Sequence, residues 1–413
     1  MLKNLSLLGL LLSSLALGLA PFPVNAQTEA DSPDARPTVF IRGFGTLGLA
    51  RSSSDQAEFV RDLSQPRGIK GGDWSARIDS VLGAQANWQA TPEVELVGQV
   101  VSRYRYDESR TPEVMWAFAK WEPDTRVALR AGRIGADFMM LADSRLVGYS
   151  YLAARPSTDF FGPLFFSHFD GADASLTLPL GKGLVRGKVF AGKTQEKASD
   201  VSGIWDTSGS SVRGLVLDYS TGSWQFRASA ARIRFSNDFP LAPLPDLLRS
   251  FGASGAAGEL STAGKASRFY SLGVVYDQGP AQVQGMLNEI HHESGLFQNS
   301  RGGYLLAGYR VGALTPYAGV SWWKSTSKNL ATGLPDVPFA SLNQTFDSVA
   351  TASAADQTTY TLGARWDVYP NVALKLQWDA VRGSSRSVFP VRAEQTGWNG
   401  RTNVISAVVD FVF

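Results

Sequence analysis

The chain has 413 residues, with 39 Lys and Arg against 37 Asp and Glu. It is close to neutral and presents no basic field for nucleic acid. It has no cysteine, which excludes disulfides, thiol catalysis and Cys-ligated metals.

The first residues, MLKNLSLLGLLLSSLALGLAPFPVNA, hold one early cation at Lys3 and an apolar run from Leu5 to Ala20. Val24-Asn25-Ala26 then forms a small-x-small type site. This predicts a secretory signal over residues 1–26, cleaved after Ala26. The run is too short, and too broken by Ser, Gly and Pro, for a membrane anchor. Residues 27–37, QTEADSPDARP, read as a mobile polar leader. Beyond Ala26 no apolar run approaches the ~18 residues of a membrane helix.

From Thr38 to Phe413 the dominant signal is alternation. In Asp73–Trp88 one face reads Trp74, Ala76, Ile78, Ser80, Leu82, Ala84, Ala86, Trp88. The other carries Arg77, Asp79, Gln85 and Asn87. A tilted strand of this length places the two Trp about 30 Å apart across a membrane. An apolar outer band with aromatic ends and a polar inner face is the pattern of a membrane β-strand. Glu93–Tyr106, Thr358–Val368 and Asn371–Arg382 repeat it. About sixteen such segments occur, with predicted starts at Thr38, Asp73, Glu93, Pro112, Arg126, His168, Leu184, Val212, Ser223, Ser267, Pro280, Arg301, Leu314, Asp356, Asn371 and Arg401.

The connections alternate in length. ATPE, EPDT, LGKG, STGS, DQGP, GALT and VYPN are tight turns with Gly, Pro, Asn or Asp chemistry. Between them fall mostly long loops. Tight turns on one rim and long loops on the other is the layout of an outer-membrane barrel. The last strand, Arg401–Phe413, sets apolar residues at Ile405, Ala407, Val409, Phe411 and Phe413. In such a barrel it must pair with the first strand, because lipid cannot satisfy an open edge.

One connection stands apart. Between RVALRAGRI and HFDGADASLTLPL lie some thirty residues, Gly135–Ser167, with no sustained period. They include Phe138, Met139, Met140, Tyr149, Tyr151, Phe160, Phe161, Phe165 and Phe166, too apolar for a disordered segment. They also carry Asp137, Asp143, Asp159, Arg145 and Arg155. A folded, charged, aromatic insert of this kind needs a cavity to bury it.

The signal sequence, the sixteen-strand count, the terminal Phe413, the motif RAGRIG (Arg130–Gly135) and the long insert after the fifth strand together resemble the Gram-negative general diffusion porins. The resemblance covers residues 38–413. It implies a trimer in the outer membrane, surrounded by lipid, passing small hydrophilic solutes. It also implies that Gly135–Ser167 folds into the barrel as the constriction loop. No catalytic, cofactor or metal residue is assigned. A sugar- or organic-anion-selective porin, and an outer-membrane barrel enzyme, remain alternatives.

Rings of charged side chains set pore selectivity. The residues expected to line the pore are Arg42, Arg77, Arg103, Arg105, Arg130, Arg365 and Lys375 from the wall, with Asp137, Asp143, Arg145, Arg155 and Asp159 from the insert. Arg77, Arg103, Arg105 and Arg130 are expected to form the basic side of the constriction. The balance points to a weak anion preference. RGFGTLG (Arg42–Gly48) matches a dinucleotide-loop pattern, but it lies within the first strand, where small residues let strands pack closely. His291 and His292 are adjacent on a strand and face opposite ways. Ser167, His168 and Asp170 carry the residue types of a hydrolytic triad, with a polar loop contact as the simpler reading.

Overall fold

The computed structural model describes residues 38–163, 166–200, 203–326, 328–384, 391–393 and 397–413. The expected signal sequence and leader lie outside these residues, as does Phe165.

Sixteen antiparallel strands close into a barrel. They are β1 (Thr38–Ser52), β2 (Val81–Gln89), β3 (Val94–Arg103), β4 (Glu113–Trp121), β5 (Val127–Gly135), β6 (His168–Leu180), β7 (Gly183–Lys193) and β8 (Ser211–Thr221). β9 (Trp224–Arg234), β10 (Ala266–Gln278), β11 (Ala281–His292), β12 (Asn299–Tyr309), β13 (Leu314–Thr326), β14 (Asp356–Tyr369), β15 (Val372–Gly383) and β16 (Arg401–Val412) follow. Each pairs with the next, and β16 returns to β1.

One rim carries only short turns, residues 90–93, 122–126, 181–182, 222–223, 279–280, 310–313 and 370–371. Gly222 (φ 53°) and Asn371 (φ 67°) adopt the left-handed backbone that such tight reversals need. The other rim carries the long connections. Besides the connection 136–167, two of these contain helices that alternation does not predict, Leu244–Ser250 with Ser254–Leu260, and Asp336–Thr351. Leu248, Leu260 and Phe346 bury one another there.

Every strand but one begins within two residues of its predicted start. The exception is β2, expected from Asp73 and observed from Val81. Residues 73–80 touch the barrel ladder through a single bridge, Ala50 to Ser75. Ile78, expected to face outward, is instead buried with Ala50, Phe59 and Ile69. Trp74 is therefore not the far end of a membrane strand.

Closure depends on glycine. Phe44–Ser52 of β1 pairs with Val404–Val412 of β16, and Gly43 and Phe413 exchange both backbone hydrogen bonds, at 2.8 and 3.0 Å. The Phe413 ring lies over Gly43 and the Phe411 ring over Gly45. A Cβ on Gly43 would stand 2.1 Å from Phe413, and one on Gly45 2.3 Å from Phe411. Gly43 and Gly45 of RGFGTLG are thus seats for the terminal aromatics. Gly45→Val should displace Phe411 and destabilise the barrel by about 1–3 kcal/mol. Gly98→Val, where a Cβ meets nothing within 4 Å, should be neutral. The temperature at which each variant loses its compact gel mobility measures the difference.

Candidate functional site

The segment 136–167 leaves the end of β5 and returns to β6. Its apolar side chains decide where it lies. Phe138, Met139, Met140, Phe160 and Phe161 are buried against Phe190 (β7), Val216 (β8), Val275 (β10), Met286 (β11), Tyr304 and Leu306 (β12) and Tyr317 (β13). These wall residues alternate with exposed Val189, Leu215, Leu272, Leu287 and Leu305, so they form the inner face. An inner face in contact with water is polar. Here, from β7 to β13, much of it is apolar because the segment covers it. Each fully buried side chain of this size contributes about 1.5–3 kcal/mol.

Polar anchors fix the segment at both ends of this contact. Arg155 donates to both carboxylate oxygens of Asp79, at 2.9 and 2.7 Å, to Asp379 of β15 at 2.8 Å, and to Ser406 of β16. Asp159, in the short helix Thr158–Phe161, accepts from neutral donors, Ser321 Oγ and Gln357 Nε2, each at 2.7 Å. Asp137 is ion-paired with Lys188 of β7. Arg227 of β9 donates to the carbonyls of Asp137 and Met139 at 2.8 and 3.1 Å. Lys375 of β15 donates to the carbonyls of Gly148 and Ala153 at 2.8 and 3.1 Å, and pairs with Asp410 of β16 at 2.8 Å. Arg365 of β14 donates to the carbonyls of Tyr149 and Tyr151 at 2.7 and 3.0 Å.

Glu196, in the connection 194–210, secures the returning end. It accepts from the backbone N–H groups of Ser167 and His168, and His168 Nδ1 lies 3.0 Å from its carboxylate. Burial pushes this carboxyl up, but the charges of His168 and Arg103 and its hydrogen bonds pull it down to about 2. The triad residue types do not converge. Asp170 faces outward to Arg133 at 2.7 Å, and Ser167 Oγ accepts from Arg145 at 2.5 Å. His291 is outward beside Glu289, while His292 is inward on Ser267 at 2.6 Å.

These contacts correct several expected pore-lining positions. Asp137, Arg145, Arg155, Asp159 and Lys375 are buried between segment and wall, and Arg365 is mostly covered. Arg77 precedes β2 and donates to the Gly68 carbonyl at 3.1 Å. Arg103 faces inward but is buried beneath the first long connection, donating to Ser64 Oγ at 2.6 Å. Arg105 lies past β3, 3.8 Å from Glu113. These three stand at the long-loop rim, away from the middle of the barrel, because β3 ends at Arg103 and β2 starts only at Val81.

Open space remains on the opposite side of the lumen. A cavity of about 440 Å³ is lined by Arg42, Phe44, Gln85, Gln99, Trp116, Asp143, Ser144 and Val147 among others. A second, of about 320 Å³, is lined by Asn87, Glu95, Phe118, Lys120, Glu122, Arg126, Arg130, Asp173, Arg186 and Lys188, together with Gln85 and Trp116. Gln85 and Trp116 border both. Behind the segment, against β11 to β15, only about 40 Å³ is left, room for water and not for a solute. Arg42, Arg130 and Asp143 therefore reach open space. Sequence reasoning missed Trp116. A bulge at Met115, opposite Gln99 and Val100, re-phases β4 and turns Trp116 inward.

No protein-family model matches the chain, and no curated protein matches it in sequence. Solved structures match in fold. An anion-selective porin from Comamonas acidovorans aligns at 12% identity and TM-score 0.53, over 92% of this chain and 100% of that one. OmpF of Salmonella typhi, solved with daunomycin, aligns at 12% identity and TM-score 0.56, over 91% and 97%. The trimer form of OmpT, an outer membrane protein of Vibrio cholerae, aligns at 12% identity and TM-score 0.51, over 91% and 99%. At this identity the likeness defines a porin-like barrel and nothing finer.

Arg155 is the anchor with most at stake. Arg155→Met leaves Asp79 and Asp379 buried without their cation, which should cost about 3–5 kcal/mol. Denaturant unfolding of the variant measures it, and limited proteolysis should show cleavage within 136–167 that the parent resists.

Proposed function

We propose that this protein is an outer-membrane diffusion channel for small hydrophilic solutes, of the general diffusion porin kind. One observation carries the reading. The inserted segment is packed against half of the inner wall, and open cavities follow the other half, the one around Lys120, Arg130 and Arg186 mainly polar. Such an arrangement narrows a barrel without closing it. Solutes would move by diffusion past Gln85, Trp116 and Asp143, filtered by size and charge.

The two cavities bring together six basic side chains, Arg42, Lys120, Arg126, Arg130, Arg186 and Lys188, and four acidic ones, Glu95, Glu122, Asp143 and Asp173. The positive lean supports a weak anion preference. It is weak because Asp173 holds Arg130 at 2.5 Å and Glu122 holds Lys120 at 2.7 Å, and because salt screens charges over about 8 Å. The basic side of the passage is then Arg42 with Arg130 and Arg186.

Planar-bilayer recording tests the channel. Stable ohmic steps are expected, with Trp116→Ala raising single-channel conductance. Under a KCl gradient, Arg42→Gln should move the reversal potential toward cations, while Arg103→Gln should leave it in place. A silent, folded protein with hydrolytic activity would replace this reading by a barrel enzyme. Current block by a particular sugar or organic anion would favour a substrate-selective porin.

The proposed assembly is a trimer joined through β1 and β2. Small outward residues of β2, Ala84 and Ala86, allow another barrel wall to approach, with the Phe411 and Phe413 rings covering Gly43 and Gly45 of β1 beside them. Ala76, which lies outside the strand, does not contribute. A detergent-solubilised mass of three chains is expected, and the mass of one would end the proposal.

A further inference from the structure

On the outer wall across the barrel from β1, cations gather at one height. Arg213 of β8 is directly opposite Arg232 of β9, which is directly opposite Arg268 of β10, which is opposite His291 of β11. One step nearer the long-loop rim, Ser211 is flanked by Lys193 of β7 on one side and Arg234 of β9 on the other. All of these share the outward face with exposed Val189, Leu215, Leu217, Tyr270, Leu272 and Leu287.

Like charges directly opposite on a sheet destabilise it. Three arginines in a row, with Cβ atoms about 5 Å apart, therefore need counter-charge. Glu293 supplies one carboxylate, 2.7 Å from Arg268 and 3.6 Å from Arg232. No side-chain hydrogen bond or ion pair holds Lys193 or Arg213 among the described residues; Lys193 lies directly opposite Asp170 of β6, whose carboxylate is taken by Arg133. The Arg232 Nε is buried without a hydrogen-bond partner. The patch thus lacks several negative charges.

The same wall names the kind of ligand. Immediately below the cations, toward the short-turn rim, the outward residues are Val189, Leu215, Leu217, Leu272 and Leu287. At the far end stand aromatic Trp224, Phe226 and Tyr276, and no charge. A second barrel does not complement this face. The outward acids of the strands, Asp170, Glu289 and Asp356, each already lie beside a cation, Arg133, Arg301 and Lys324. A molecule with clustered anions at the height of the arginines and acyl chains along the apolar band does complement it.

We propose that the outward face of β7 to β10 is a binding site for a membrane lipid bearing more than one phosphate, held at the long-loop rim by Lys193, Arg213, Arg232, Arg234 and Arg268. Guanidinium forks bind phosphate oxygens in pairs, and basic pockets on membrane walls select anionic headgroups in this way. The inference rests on the barrel spanning a membrane, but not on its conducting.

Native mass spectrometry of the full, detergent-solubilised protein, titrated with cardiolipin or with phosphatidylcholine, tests it. Cardiolipin, with two phosphates, should bind about tenfold more tightly. The triple variant Arg213→Gln, Arg232→Gln, Arg268→Gln should lose that preference and keep its bilayer conductance. Arg213→Lys with Arg232→Lys, which keeps charge but removes the forks, should fold and retain an intermediate preference. Inorganic phosphate should not displace the lipid. Equal binding of the two lipids, an unchanged preference in the triple variant, or full displacement by phosphate would each overturn the site. A protein that holds cardiolipin and is silent in the bilayer would count against the channel alone.

Discussion

Lipid offers no hydrogen bonds, and that single constraint orders this fold. A sheet in a bilayer must close, so the first and last strands must meet in register. The chain meets the demand with β1 and β16, and with two aromatic rings seated on two glycines. An even number of strands then returns the chain to the rim from which it left. All of the longer connections are consequently free to develop on one side.

The inner wall answers to a second demand. A segment carrying six buried aromatic or methionine side chains needs an apolar surface, and β7 to β13 provide one where a water-filled barrel would show polar residues. This makes a hydrophobic core inside the barrel. Burial of Arg155 among Asp79, Asp379 and Ser406 adds little net stability for its cost in desolvation. It contributes position instead, because only one placement of the segment satisfies all of these partners at once. Lys375 with Asp410 and Lys188 with Asp137 act in the same way at other points along the segment.

Much of the architecture was legible in the sequence because alternation reports directly on which face a residue occupies. Fifteen strand starts and the inward direction of Arg42, Arg103, Arg130, Arg365 and Lys375 follow from it. Alternation does not report what covers a face. Whether an inward cation meets water or protein depends on residues far away in the chain, as Asp379 meets Arg155 across 224 positions. Lys375, Asp137 and Asp159 were misplaced for that reason. The late start of β2 and the bulge at Met115 escaped because each breaks the period locally, one to bury Ile78 and the other to turn Trp116. Asp410 did leave a signal, as a lone acid in an apolar terminal strand.

The division of the inner wall has a consequence for how the protein can change over time. Residues beneath the inserted segment are bound into a packed core, where an altered volume is felt by every neighbour. Polar residues along β1 to β7 that border open space are held mostly by single neighbours, as Gln99 by Gln85, Asn87 by Glu95 and Lys120 by Glu122. Substitutions there can alter what the lumen accepts while the fold stays intact. The barrel thus separates the part of its interior that must be inherited together from the part that can diverge one residue at a time.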